Sequence, residues 1–127
     1  MADESMIPVP AGPVSASAAL ESLSVAEAAQ VLGVAPNRVA QLLREGQLVA
    51  SRDATGRARV PAAFLQAGAV VKGLPGVITL LRDARFSDDE IVDWLAREDD
   101  SLPGRPIEAL REDRGGEVKR RAQAAGF

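Results

Sequence analysis

Two glycines and a proline, set between short apolar runs, constrain this chain more than any other feature. Ser24-Val25-Ala26-Glu27 is a capping box, in which a hydroxyl and a carboxylate three residues apart satisfy two orphan amides reciprocally. Val25, Ala28, Ala29 and Leu32 follow at helical spacing and give one apolar face. Gly33 supplies a left-handed cap, and Pro36 opens a second helix near its first position. Val39, Leu42 and Leu43 are the inward face of that helix, and Gly46 stops it. Two short helices joined by a Gly-Val turn predict a helix-turn-helix.

After Gly46 the period changes. Gln47–Arg52 reads as a strand, Asp53-Ala54-Thr55-Gly56 as a turn and Arg57–Val60 as a returning strand, which together predict a two-stranded wing. Pro61 is expected to open another helix through Phe64 and Leu65. From Val70 onward the pattern is helical again. Leu74-Pro75-Gly76 starts one helix, and the capping box Ser87-Asp88-Asp89-Glu90 heads another that carries Ile91, Trp94 and Leu95. A loop over 99–104, a short helix over 106–110 and a final one over 117–125 complete the chain. The expected fold class is mainly α: a winged helix-turn-helix with a two-stranded β wing, then a small helical C-terminal subdomain. Residues 23–67 form the first unit and 68–127 the second.

Residues 1–22 are mostly Ala, Ser, Pro, Val and Gly, with Pro8, Pro10 and Pro13 close together. They carry too few large apolar groups to offset ordering entropy, so a disordered tail is expected. Its serines, Ser5, Ser15, Ser17 and Ser22, are candidate phosphate acceptors. The acidic start Asp3-Glu4 lacks the basic and apolar regions of a secretory signal. The apolar stretch 62–81 is broken by Gln66, Lys72 and Pro75, so it is too polar to span a membrane. A cytoplasmic protein, nucleoid-associated when bound to DNA, is expected.

The 127 residues contain no His, Cys or Tyr. Without imidazole or thiolate, the usual zinc sites and the Ser-His and Cys-His triads cannot be built, and no disulfide can form. Asp88, Asp89, Glu90 and Asp93 are acidic, but acids in a first helical turn complement the helix dipole without any ligand. No GxxxxGK[ST] phosphate loop occurs. Neither an enzyme nor a cofactor is expected.

With Val39, Leu42 and Leu43 turned inward, Asn37, Arg38, Gln41 and Arg44 project outward, beside Pro36 at the start of the second helix. Asn and Gln bond bidentately to adenine and Arg to guanine in the major groove. Arg52, Arg57 and Arg59 cluster on the wing, where backbone phosphates would be met. Arg57 and Arg59, two residues apart on one strand, should share a face. Residues 24–66 hold five arginines against Glu27, Glu45 and Asp53, a net +2, whereas the segments before and after carry -3 and -2. Only the helix-turn-helix and wing are positive. The expected partner is duplex DNA, and the expected role is a sequence-specific transcriptional regulator.

The run Ser24-Val25-Ala26-Glu27-Ala28-Ala29, then Leu32-Gly33-Val34, Gly46-Gln47-Leu48 and Val60-Pro61, resembles the winged helix of the MerR and excisionase superfamily. With Leu43-Arg44-Glu45-Gly46, Leu74-Pro75-Gly76, Trp94-Leu95, Arg105-Pro106 and Arg120-Arg121-Ala122-Gln123-Ala124, residues 24–127 are similar to an actinobacterial family of small winged-helix DNA-binding proteins. A mycobacterial member of that family is a Ser/Thr protein kinase substrate, so the resemblance implies a kinase acting on the tail. Trp94-Leu95 and Gly104-Arg105-Pro106-Ile107-Glu108-Ala109-Leu110 also resemble the helical domain of Xre/MbcA/ParS-type antitoxins, whose usual DNA-binding domain differs from this winged helix. That likeness implies a homodimer through the C-terminal helices. It also supplies the rival reading, a protein-interaction adaptor or antitoxin-like module.

Overall fold

The computed structural model describes residues 20–98 and 104–125; Ser5, Ser15, Ser17 and most of the 99–104 loop lie outside them. The first element is a strand, β1 (Ser22–Leu23), and Leu20 and Leu23 pack against the core. Residues 20–22 therefore belong to the folded unit and not to a tail. Helix α1 (Val25–Leu32) starts on the capping box, with Ser24 Oγ accepting the Glu27 amide at 3.1 Å and Glu27 Oε1 accepting the Ser24 amide at 2.8 Å. In helix α2 (Pro36–Arg44), Val39 is fully buried, while Leu42 and Leu43 are half-buried against the core.

The wing departs from its expected outline. Strand β2 is only Ser51–Arg52, because Leu48, Val49 and Ala50 are all buried and do not alternate between two faces. The amides of Gln47 and Leu48 instead turn back to the Leu42 carbonyl, at 3.0 and 3.3 Å. Strand β3 (Ala58–Pro61) pairs with β2 in the register Ser51↔Arg59 and Arg52↔Ala58. Its other edge pairs with β1, Ser22↔Pro61 and Leu23↔Val60, so the sheet has three strands in the order β1-β3-β2. An unpaired strand edge is a ready template for another strand, and here the residues just before α1 cover it.

Pro61 ends β3 and opens no α-helix through Leu65. A single 3₁₀ turn, Ala62–Phe64, follows, and then a second antiparallel pair, β4 (Leu65–Gln66) and β5 (Ala69–Val70). Ala67 and Gly68 at its tip have φ of 55° and 75°, the left-handed pair that a two-residue hairpin requires. The apolar run Ala62-Ala63-Phe64-Leu65 is helix-like in composition, but burial of Phe64 and Leu65 is achieved with one turn.

Four helices complete the described fold: α3 (Leu74–Asp83), α4 (Asp88–Ala96) on its expected capping box, α5 (Pro106–Arg111) and α6 (Gly115–Ala125). Helix α6 begins two residues before the expected Glu117. The core is continuous. Ala28, Val39, Leu48 and Phe64 from the winged segment join Leu74, Ile78, Leu81, Ile91, Leu95, Ile107 and Val118 in one buried cluster. Arg111 fastens α5 to the 3₁₀ turn, its Nη1 donating to the carbonyls of Ala63 and Leu65 at 2.9 and 2.8 Å. Among the described residues no polar or charged side chain is fully buried, and no helix is long and apolar enough to cross a membrane.

Candidate nucleic-acid interface

The amphipathic split of α2 turns its polar residues to solvent: Pro36, Asn37, Arg38 and Arg44 are exposed and Gln41 is half-buried. They are not independent. Arg38 Nη1 donates to Gln41 Oε1 at 2.9 Å, and Gln41 Nε2 donates to Glu45 Oε2 at 2.9 Å. Spacings of three and four residues put these groups above one another on one helical face. Glu45 thus ends a chain of hydrogen bonds that holds the Gln41 amide with its oxygen toward Arg38. Glu45 is absent from the expected set of outward residues, although its i, i+4 spacing from Gln41 is a visible signal of this role.

The wing is organised differently. Asp53 Oδ1 accepts the amides of Thr55 and Arg57 at 2.9 and 3.0 Å and the Thr55 hydroxyl at 2.6 Å. These bonds, led by the Thr55 hydroxyl and then the Arg57 amide, hold the Asp53 carboxyl below its ordinary value. The turn closes with the Gly56 amide on the Asp53 carbonyl at 2.9 Å, Gly56 sitting at φ +83°. Glu27, across from the wing at the start of α1, is likewise lowered, first by the Ser24 amide and then by the Ser24 hydroxyl.

The three wing arginines line one cleft with Ser24, Val25 and Ala26 at the start of α1, but they do three different things there. Arg59 is half-buried and holds β1, its Nε donating to Ser22 Oγ at 3.2 Å and its Nη2 to the Ser22 carbonyl at 3.0 Å. Ser22 Oγ is therefore engaged as part of the sheet. Arg52 braces the turn through Nη1 on the Gly56 carbonyl at 3.3 Å. Arg57 is exposed, and its guanidinium makes no hydrogen bond or ion pair among the described residues. The acidic residues of α4 are also spoken for: Asp88 pairs with Arg82 at 3.0 Å, Asp89 accepts the Arg52 amide at 3.1 Å, Glu90 caps Ser87 and Asp93 pairs with Arg97. Among the described residues no group of three or more metal-ligating side chains comes together.

Comparison with known proteins bears on this geometry directly. Residues 7–65 match the family described as "DNA-binding protein Rv2175c, wHTH domain", and residues 71–126 match "Rv2175c C-terminal domain of unknown function". The chain is 42% identical over 111 residues to the DNA-binding protein Rv2175c of Mycobacterium tuberculosis, covering 78% of this chain and 76% of that protein. The chain belongs to the Rv2175c family. An NMR structure of Rv2175c superposes with a TM-score of 0.79 at 39% identity, over 94% of this chain and 90% of that one. The fold is therefore that of the Rv2175c family across both segments, the winged helix-turn-helix and the helices that follow. The actinobacterial resemblance of the motifs leads to the same place.

Proposed function

We propose that this protein binds duplex DNA in a sequence-dependent manner and acts as a transcriptional regulator. The observation that carries the reading is the polar face of α2, where Asn37, Arg38, Gln41 and Arg44 stand clear of a buried apolar seam. A single helix of this size fits the major groove, and these are the residue types that discriminate base edges there. The Arg38–Gln41–Glu45 chain supports it further, because side chains already held in position lose less freedom when they bond a base. Arg57 is the wing group assigned to a backbone phosphate, being the wing arginine with an uncommitted guanidinium. Arg52 and Arg59 add to the positive field there while their donors serve the fold. Residues 23–67 read the duplex in this scheme, and 68–127 support the reader. The name borne by the mycobacterial relative agrees with this reading.

A formal net charge of -3 limits nonspecific attraction to DNA. Affinity for random duplex should accordingly be weak and fall further as salt rises, while a sequence enriched from a random pool retains measurable binding. Titration of the full chain with enriched and scrambled duplexes at several salt concentrations tests this. Equal affinity for both duplexes at every salt concentration would overturn sequence-dependent binding.

A further inference from the structure

Two adjacent residues among the helices after residue 68 link to both parts of the proposed reader, one directly and one through Arg82. Asp88 and Asp89 open α4. Asp88 pairs with Arg82 at 3.0 Å, and Arg82 Nη2 also lies 3.5 Å from the Leu43 carbonyl, in the last turn of α2. That guanidinium fills the space above Gly46, where an added Cβ would stand 2.9 Å from Arg82 Nη1. Gly46 itself lies at φ +75°, so its backbone favours glycine, while the Arg82 side chain above it is long enough to shift. Asp89 meanwhile accepts the Arg52 amide at 3.1 Å, on the strand that leads into the wing turn. One turn of α4 is therefore bonded to the wing directly and to the end of α2 through Arg82.

We infer that the first turn of α4 is a positioning device that sets the wing relative to the recognition helix, with Asp89 as its key residue. This assigns a task to the segment whose family is described as being of unknown function. It rests on the DNA-binding reading above. The physical case is geometric. Specific recognition needs the base-reading side chains and the phosphate contact to be correct at once, since phosphate contacts fix register and orientation on the duplex. Strands β1 and β2 are two residues each, at the short limit for strands, and the link at the Arg52 amide ties β2 to a helix whose Ile91 and Leu95 are fully buried. Asp89 and Asp88 are negative charges beside a surface proposed to meet phosphates. Their presence works against binding by charge alone, so a gain in geometry has to outweigh it.

That opposition makes the test decisive. Asp89→Ala and Asp89→Asn remove the same charge, but only Asn keeps an oxygen that can accept the Arg52 amide. Both full-length variants are measured against a duplex enriched by the wild-type chain and against its scrambled counterpart. Hydrogen exchange of the Arg52 amide is followed alongside. The positioning role predicts that Asp89→Ala loses discrimination by roughly fivefold or more, about the lower end of one good base contact, with faster Arg52 exchange. Asp89→Asn should retain both. If charge alone matters, both variants bind both duplexes equally or more tightly than wild type, and the inference is overturned. An Asp89→Ala chain that discriminates as well as wild type overturns it equally. A wild-type chain that enriches no sequence removes the DNA reading itself, and the inference with it. The two failures are thereby told apart by the wild-type result.

Discussion

Helix α2 and the wing carry the same kind of residue to the same surface by opposite means. On α2 the polar groups bond to one another: Arg38 to Gln41, and Gln41 to Glu45, all within one helical face. On the wing they bond to the scaffold: Arg59 to β1, Arg52 to the turn and, by its amide, to α4. The helix satisfies its backbone bonds internally and is held by its buried apolar face, so its polar side chains, stacked at i, i+3 and i, i+4, are free of that duty. The short wing strands have little such support of their own, so two of three arginines and Asp53 are consumed in holding them. Pre-ordered donors on α2 suit discrimination between bases, whereas the single uncommitted Arg57 suits a sequence-blind phosphate contact. A count of arginines treats these regions as equals, and the bonding pattern separates them.

The largest effect that would sharpen this contrast is expected on α2. Replacing Arg38 or Gln41 with Ala should reduce discrimination between enriched and scrambled duplexes by about 1–3 kcal/mol, the worth of a good bidentate base contact. Competition binding measures it. Because the two residues share a hydrogen bond, the double variant should lose less than the sum of the singles. Strict additivity would mean that they act independently, which would break the picture of a pre-ordered face.

Next in size is the contrast between Arg59 and Arg57. Removing Arg59 frees Ser22 and loosens β1, so Arg59→Ala should lower stability by roughly 1 kcal/mol, the usual net value of a hydrogen bond. Denaturant unfolding measures it. Arg57→Ala should leave stability within about 0.5 kcal/mol, as an exposed substitution does. It should instead reduce the slope of log K against log salt by roughly 0.9, one phosphate contact. If the two variants behaved alike in both assays, the division of labour on the wing would be wrong.

The smallest effect is a pH dependence to which the wing side contributes. The Asp53 and Glu27 carboxyls sit below their ordinary values of 3.8 and 4.5 in the folded chain. Groups lowered in this way add stability that is fully present above the ordinary values and lost as pH falls below them through the lowered ones. Thermal midpoints should therefore hold steady near neutral pH and decline on acidification through that window. Asp53→Asn keeps an accepting oxygen without a titrating carboxyl and should flatten part of the decline. A profile identical to wild type would remove Asp53 as a contributor.

Much of this fold is legible from local chemistry alone. The capping boxes at Ser24 and Ser87, the stop at Gly33 and the opening at Pro36 each depend on residues within one turn of one another, so their sequence signals survive folding intact. The outward face of α2 follows from the same short-range periodicity. Tertiary structure decided what depends on partners distant along the chain. Ser22 joined the sheet because β3 offered an edge, and the apolar run 48–50 lost its strand because every member found a place in the core. The run after Pro61 became one turn and a small hairpin once Phe64 was buried. Above all, sequence gathers Arg52, Arg57 and Arg59 as one basic cluster, and only contacts across the fold assign each its task. Arg59 meets Ser22 from 37 residues away, and the Arg52 amide meets Asp89 across the same separation. A local pattern carries no information about such meetings, because loop closure and shared burial, not neighbouring residues, bring those groups together.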